Sequence, residues 1–85
     1  MNQEPEIVVR LFAGIREALS QDSLQLSCQE GMTVSQLREK LREQNPKLAP
    51  WLECSMIALN GQYARGTDLL QPGDEVALIP PVSGG

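Results

Sequence analysis

The sequence predicts an α+β domain: a mixed sheet of four to five strands, with one long helix across one face and one short helix. Four short segments alternate apolar and polar residues, which is the pattern of half-buried strands. A longer segment between the second and third of them has apolar residues at helical spacing. The 85 residues suit one small domain, and neither a repeat nor a linker divides them.

The first strand is predicted at residues 7–12, where Ile7, Val9 and Leu11 share one face. A short helix is predicted at residues 13–19. The second strand follows at residues 23–28, again with its apolar residues on one face.

The long helix is predicted to begin after Thr33, because Thr33 and Gln36 have the spacing of a capping box. Its apolar stripe consists of Val34, Leu37 and Leu41. We expect the charged residues at positions 38–43 to be solvated. Asn45 and Pro46 should end the helix.

Three apolar residues after this helix are expected to fold back as a turn that plugs one end of the core: Leu48, Trp51 and Leu52. We expect the single tryptophan to pack in the core rather than to stack on a ligand.

The third strand is predicted at residues 55–59 and the last at residues 75–79. Between them, Asn60 and Gly61 are typical of a type I′ hairpin turn, which needs positive φ at both central residues. A tight turn is expected at residues 67–70 and a type II turn at residues 71–74.

Composition limits the functions of the chain. Its net charge of −4 argues against nucleic acid or an anionic membrane as a partner. No apolar run is long enough to span a membrane. Since the first six residues are polar and acidic rather than a signal peptide, we expect a cytoplasmic protein.

The reactive side chains point to chemistry carried out with a partner. The chain has no histidine, which removes the Ser–His and Cys–His pairs and the commonest metal ligand. Cys28 and Cys54 match no metal or redox spacing, and we expect both to be buried and reduced. The sequence therefore argues against an enzyme acting alone and predicts no bound metal or cofactor.

The sheet face opposite the long helix is predicted to carry bulky side chains. Alternation directs Phe12 and Ile79 outward, and a two-residue turn at Asn60 and Gly61 would pair Ala58 with Tyr63 and direct Tyr63 outward too. A contiguous apolar patch of this kind marks a surface for a protein partner.

The end of the chain, residues 80–85, is the most informative feature. Pro80 and Pro81 fix φ and lack N–H donors, so pairing in the sheet should stop near Ile79. Gly84 and Gly85 have no Cβ and could enter a narrow channel. A frayed terminus is the ordinary alternative. If the end is functional, a terminal carboxylate condensed with ATP becomes an acyl-adenylate, from which sulfur can displace AMP.

Three stretches resemble the MoaD family, the small sulfur-carrying subunit of molybdopterin synthase. They are residues 10–17, the hairpin at Leu59 and Asn60, and residues 73–85 with their Pro-Pro-Val-Ser-Gly-Gly ending. The resemblance covers nearly the whole chain. It implies a ubiquitin-like β-grasp fold, with a domain at residues 1–79 and an extended tail at residues 80–85.

By this resemblance, a MoeB-type enzyme uses ATP to adenylate Gly85, and a sulfur donor converts it to a thiocarboxylate. The tail then inserts into the large subunit, MoaE, and sulfur passes to cyclic pyranopterin monophosphate (precursor Z) for the molybdenum cofactor. The chain is thereby implied to be a non-catalytic subunit of a heterotetramer of two small and two large subunits. The partner-facing residues implied are Phe12, Tyr63, Ile79, Pro80, Pro81, Val82 and Ser83.

Three alternatives stay open from the sequence. A sulfur carrier of thiazole synthesis shares the fold and the Gly-Gly end, although its tail usually lacks the two prolines. A ubiquitin-like modifier would share the activation step. A β-grasp module that docks without covalent chemistry would not use its terminus at all.

Overall fold

The computed structural model describes residues 5–81, which form one mixed sheet of five strands in the order β2-β1-β5-β3-β4. The strands are β1 (Glu6–Leu11), β2 (Ser23–Ser27), β3 (Met56–Leu59), β4 (Gln62–Tyr63) and β5 (Glu75–Ile79). β1 and β5 pair in parallel, and the other neighbouring strands are antiparallel. The predicted α+β, β-grasp architecture is confirmed.

Three α-helices and one 3₁₀ turn connect these strands: α1 (Ala13–Leu19), α2 (Val34–Gln44), the 3₁₀ turn Pro46–Leu48 and α3 (Ala49–Cys54). The bounds predicted for α1 are confirmed. Predicted strand ends differ by one residue, because Phe12 precedes α1 as its N-cap and Ser55 follows α3 as its C-cap.

The core lies between the sheet and α2. Alternate residues of β1 and β5 are buried, and so is the predicted stripe of α2. Burying one aliphatic side chain contributes about 1.5–3 kcal/mol, so this layer is the main source of stability. The most deeply buried apolar side chains include Ile7, Val9, Ile15, Leu37, Leu41, Leu48, Ile57, Leu70, Val76 and Leu78.

The N-terminus of α2 is fully hydrogen-bonded. The predicted capping box is confirmed: Gln36 N donates to Thr33 Oγ1 over 3.2 Å, and Thr33 N donates to Gln36 Oε1 over 2.9 Å. The N–H groups of Val34 and Ser35 donate to the carbonyls of Asp68 and Gly66. The loop before β5 is therefore fastened to the start of α2.

That loop turns earlier than the sequence predicts. The turn spans residues 65–68 instead of 67–70, with Asp68 N donating to Arg65 O over 3.0 Å. The Asp68 carboxylate accepts from Arg65 N over 2.9 Å, which closes the turn at this position. Leu69, which follows this turn, forms an isolated antiparallel β-bridge with Thr33.

The segment predicted as a plain turn after α2 is helical. Its residues form the 3₁₀ turn and α3, which tolerates Pro50 in its first turn because the N–H groups there have no partner within the helix. Leu48 and Leu52 are buried as expected. Trp51 is half-buried against the core, as predicted, and its indole packs on α1 where Gly14 has no Cβ.

Two charged residues of α2 are not simply solvated, contrary to the sequence prediction. Arg38 donates from one guanidinium nitrogen to Leu52 O over 2.6 Å and from the other to Ser55 O over 3.1 Å. Lys40 Nζ donates to Ser27 O over 2.9 Å. These residues border the apolar stripe and tie α2 to the end of α3 and to β2.

The two cysteines differ in environment. Cys28 is buried, and burial raises the pKa of its thiol above the ordinary value of 9.0, with a smaller contribution from the Asp74 carboxylate. Cys54 is exposed, so the prediction that both thiols are buried is wrong for Cys54. Cys54 is the last residue of α3, a helix that the sequence analysis did not predict. Both are free thiols.

Ala13, the first residue of α1, has a φ of +51°. Residues with a Cβ rarely adopt this left-handed conformation, and it costs them about 1–2 kcal/mol. This left-handed conformation turns the chain sharply from β1 into α1 directly after Phe12.

Arg38→Ala is expected to lower the free energy of unfolding by about 2 kcal/mol, because it leaves the carbonyls of Leu52 and Ser55 without their charged donor. Arg42→Ala is the matched control, since Arg42 forms an exposed pair with Glu39 on the same helix. Its cost should stay below about 0.5 kcal/mol. Urea unfolding measures both, and equal costs would contradict the role given to Arg38.

Ala13→Gly is expected to raise the free energy of unfolding by about 0.5–1 kcal/mol, because relief of the left-handed strain exceeds the added freedom of the unfolded chain. Ala18→Gly, at an exposed position of the same helix, should lower it by about 1 kcal/mol. Thermal or urea unfolding of the two variants measures both changes in the free energy of unfolding. If both variants are destabilised equally, Ala13 is not strained.

Candidate docking surface

The candidate site is on the outer face of the sheet, which is the face opposite α2. Five described large apolar side chains are exposed: Val8, Phe12, Met56, Tyr63 and Leu69. Strand alternation and register place all of them except Leu69 on the outer face. Scattered exposed apolar residues are ordinary on a protein surface, but a concentration on one face indicates a binding surface.

Phe12 lies at one end of this surface. It has extended backbone angles, φ −128° and ψ 156°, and its carbonyl accepts from Ile15 N over 3.1 Å. Its side chain is 43% exposed. The predicted outward direction is thus confirmed, although the residue caps α1 rather than ending β1.

Tyr63 lies at the other end. Asn60 and Gly61 both have positive φ, +50° and +85°, as a type I′ turn requires. β3 and β4 pair Ala58 with Tyr63 and Leu59 with Gln62, so the predicted register is confirmed. Tyr63 is 67% exposed.

Ile79 lies between these two residues. It is paired with Met56 across β5 and β3, and Leu78 beside it is paired with Leu11, the residue before Phe12. Ile79 is half-buried, more covered than strand alternation alone suggests. It shares a surface with Phe12 and Tyr63, as predicted.

Met56 is a member of this surface that the sequence reasoning missed. It is 50% exposed and directly opposite Ile79. The sequence contains the signal, because Met56 alternates with the apolar residues Ile57 and Leu59 in the predicted strand at residues 55–59 and so lies on the face opposite to theirs.

We define the docking surface as Phe12, Met56, Ala58, Tyr63, Ala77 and Ile79. The two alanines pair with each other in its middle and create a shallow concavity of about 290 Å³. The larger side chains surround these two small ones and form a socket that could accept an apolar side chain of another protein.

The border of the docking surface is charged. Arg10 Nε is 3.6 Å from Glu75 Oε2, across the parallel pair of strands β1 and β5. Both side chains are more than half exposed, so the ion pair contributes little to stability. Charged residues at the border of an apolar centre are usual in protein interfaces.

The tail begins at the docking surface. Ile79 is the last residue of β5 and the last to pair with β3, so the prediction that pairing stops there is confirmed. Pro80 is half-buried and Pro81 is exposed. The predicted tail residues Val82, Ser83, Gly84 and Gly85 lie outside the described residues.

Among residues 5–81, no three or more acidic, cysteine or histidine side chains are grouped so that they could hold a metal ion. No helix in the same part of the chain has the length and apolar character needed to cross a bilayer.

Known proteins resemble this chain over almost its whole length. The ThiS family model matches residues 9–85. The molybdopterin synthase sulfur carrier subunit of Arabidopsis thaliana is 38% identical, with 94% of this chain and 83% of that protein covered.

Solved structures agree. SAMP1 of Haloferax volcanii, a small archaeal modifier protein, has a TM-score of 0.83 at 26% identity, covering 94% of this chain and 99% of that one. A chain in the Helicobacter pylori complex of subunits 1 and 2 of molybdopterin-converting factor has a TM-score of 0.72 at 30% identity, covering 94% and 99%. The resemblance seen in the sequence is thus confirmed: the chain belongs to the ThiS family and is a relative of the molybdopterin synthase sulfur carrier subunits.

Proposed function

We propose that this chain is the sulfur-carrier subunit of a molybdopterin synthase. The observation that carries the proposal is the position of the tail, whose first residue follows Ile79, a half-buried member of the docking surface at the end of β5. A partner that covers this surface necessarily lies beside the start of the tail. The assignment to molybdopterin synthesis rests on the names of the related proteins.

The partner proposed for the docking surface is the large subunit of the synthase. The related Helicobacter pylori chain was solved in a complex of subunits 1 and 2. The apolar socket with its charged rim suits such a complex, since buried aromatic side chains contribute most of the binding energy in many interfaces. We extend the proposal to an assembly of two small and two large subunits.

The reactive group proposed is the carboxylate of Gly85. A MoeB-type enzyme would join it to the α-phosphate of ATP, releasing pyrophosphate. A sulfur donor would then displace AMP and leave a thiocarboxylate. Attack of its sulfur on a carbon of precursor Z would form a C–S bond as a C–O bond of that carbon breaks and its oxygen leaves. Water would then hydrolyse the resulting thioester, leaving the sulfur on the pterin and returning Gly85 to a carboxylate, and two such transfers would supply the dithiolene.

Division of labour between the subunits follows from side-chain chemistry. The chain contains no histidine, and the middle of the docking surface is apolar. Acid–base catalysis is therefore assigned to the partner and to the activating enzyme. The carrier positions its end, and docking makes the transfer effectively intramolecular.

Covalent geometry limits the reach of the tail. Gly85 is the sixth residue after Ile79, and a fully extended chain spans at most about 3.6 Å per residue, or about 20 Å. An enzyme that acts on Gly85 must therefore bring its active site within this distance of the docking surface.

A ubiquitin-like modifier is the second candidate, and the likeness to SAMP1 favours it. Activation by adenylation would be common to both functions. They differ in the fate of Gly85, which a modifier would join to lysines of other proteins.

Incubation of the chain with ATP, the activating enzyme and a sulfur source should replace one oxygen of Gly85 by sulfur, as read from intact mass. Omitting ATP is the control, because the acyl-adenylate is then not formed. A chain lacking Gly85 should dock but support no molybdopterin formation with the large subunit. An unchanged mass, or activity without Gly85, contradicts the carrier function. Covalent attachment to other proteins would instead favour the modifier.

Phe12→Ala should weaken binding to the large subunit by at least about tenfold, because it removes an aromatic anchor of the docking surface. Leu69→Ala is the matched control, since Leu69 is 61% exposed but lies away from that surface. Calorimetric titration of the large subunit with each variant measures the effect. If both variants bind like the wild type, this face is not the interface.

A further inference from the structure

The side chain of Asn60 links two turns that border the docking surface. Asn60 Nδ2 donates to Asp74 Oδ1 over 3.1 Å, and Glu75 N donates to Asn60 Oδ1 over 3.0 Å. Asn60 N also donates to Glu75 O over 2.8 Å. The tip of the β3–β4 hairpin is thereby fastened to the start of β5, and we call these contacts of Asn60 with Asp74 and Glu75 the hairpin clamp.

Asp74 connects the clamp to the next turn. Its second carboxylate oxygen, Oδ2, accepts from Gln71 N over 2.7 Å, while Asp74 N donates to Gln71 O over 3.0 Å. Gly73 has a φ of +89°, as the predicted type II turn at residues 71–74 requires. One carboxylate therefore binds both turns at once.

The clamp matters because β4 is weakly held by other contacts. β4 has only two residues, both are exposed, and it pairs with β3 alone at the edge of the sheet. Tyr63 is one of those two residues, and it forms one wall of the docking surface. Its position depends on how firmly the hairpin is fixed to the rest of the sheet.

We infer that Asn60 is a positioning residue for partner binding. Its hairpin clamp holds β4 in place and thereby fixes the position of Tyr63 at the edge of the docking surface before the partner binds. The inference rests on the proposed docking function. Its physical basis is preorganisation, because a side chain that is already fixed loses less conformational entropy when the partner binds.

Asparagine meets both requirements of this position. It tolerates the positive φ of the turn, as glycine also does. Its amide accepts from Glu75 N and donates to the Asp74 carboxylate at the same time. Aspartate would place two carboxylates face to face, and glycine would have no side chain to form the clamp.

The first test measures the clamp itself. Ala64 N donates to Ile57 O over 2.8 Å, so its exchange with solvent reports on the opening of the hairpin. Asn60→Gly should raise the exchange rate of this amide about tenfold, with the exchange of Leu37 in α2 unchanged. Equal exchange in the variant and the wild type would overturn the inference.

The second test measures binding to the large subunit under conditions in which every variant is folded. Asn60→Gly should weaken the affinity about tenfold. In a Tyr63→Ala background the same change should have almost no further effect, because Asn60 acts through Tyr63. A loss that is equally large in both backgrounds would overturn the positioning role.

A polar swap provides the rescue. Asn60→Asp alone should weaken binding, and its combination with Asp74→Asn should restore most of the affinity, because the pair again has one donor and one acceptor. Absence of rescue would overturn the clamp. If the wild-type chain does not bind the large subunit, the proposed function and the positioning role both fail, and amide exchange alone decides whether the clamp exists.

Discussion

The parallel pairing of β1 with β5 is the contact on which the other features depend. It joins the first and last strands of the described sheet, through pairs such as Val9 with Val76 and Leu11 with Leu78. A parallel pair requires a crossover, and here α2 covers the inner face as part of that connection. The outer face is left open. β5 is the central strand of the sheet, so the chain after Ile79 leaves from the end of that strand, beside the open face.

The parts of the fold that bury little apolar surface are held by polar contacts from better-buried elements. α3 buries only Leu52 completely, and Arg38 of α2 binds the carbonyls at its end. β4 has both residues exposed, and Asn60 fastens its turn. A charged or amide group that binds backbone fixes a short element in one place, which apolar contact alone does not do. The Asn60 link lies at the rim of the docking surface, where it fastens the β3–β4 turn to the start of β5.

Most of the fold could be predicted because local patterns agree with the tertiary structure. Period-two alternation located β1, β2 and β5, and the spacing of Thr33 and Gln36 located the start of α2. α3 was not predicted, although Leu48, Trp51 and Leu52 lie at i, i+3 and i+4, because so short a segment does not separate a helix from a turn by spacing alone. In the candidate site, likewise, the features that a local pattern determines could be predicted, whereas those that depend on strand order could not. Alternation directed Phe12 outward correctly, but the contact between Met56 and Ile79 depends on which strands are neighbours, and Ile79 is more covered than alternation alone suggests.

The proposed function depends on the continuity of the binding and reacting segments along the chain. Ile79 belongs to the docking surface, and Pro80 and Pro81 follow it directly. A flexible connection of greater length would lower the effective concentration of the reactive end, whereas two prolines with fixed φ restrict its directions. In the proposed function, docking would therefore determine both which enzyme receives Gly85 and how far from the docking surface Gly85 reaches. Under that proposal, a chain without histidine would contribute to catalysis by supplying position, while its partners would supply the acid and base groups.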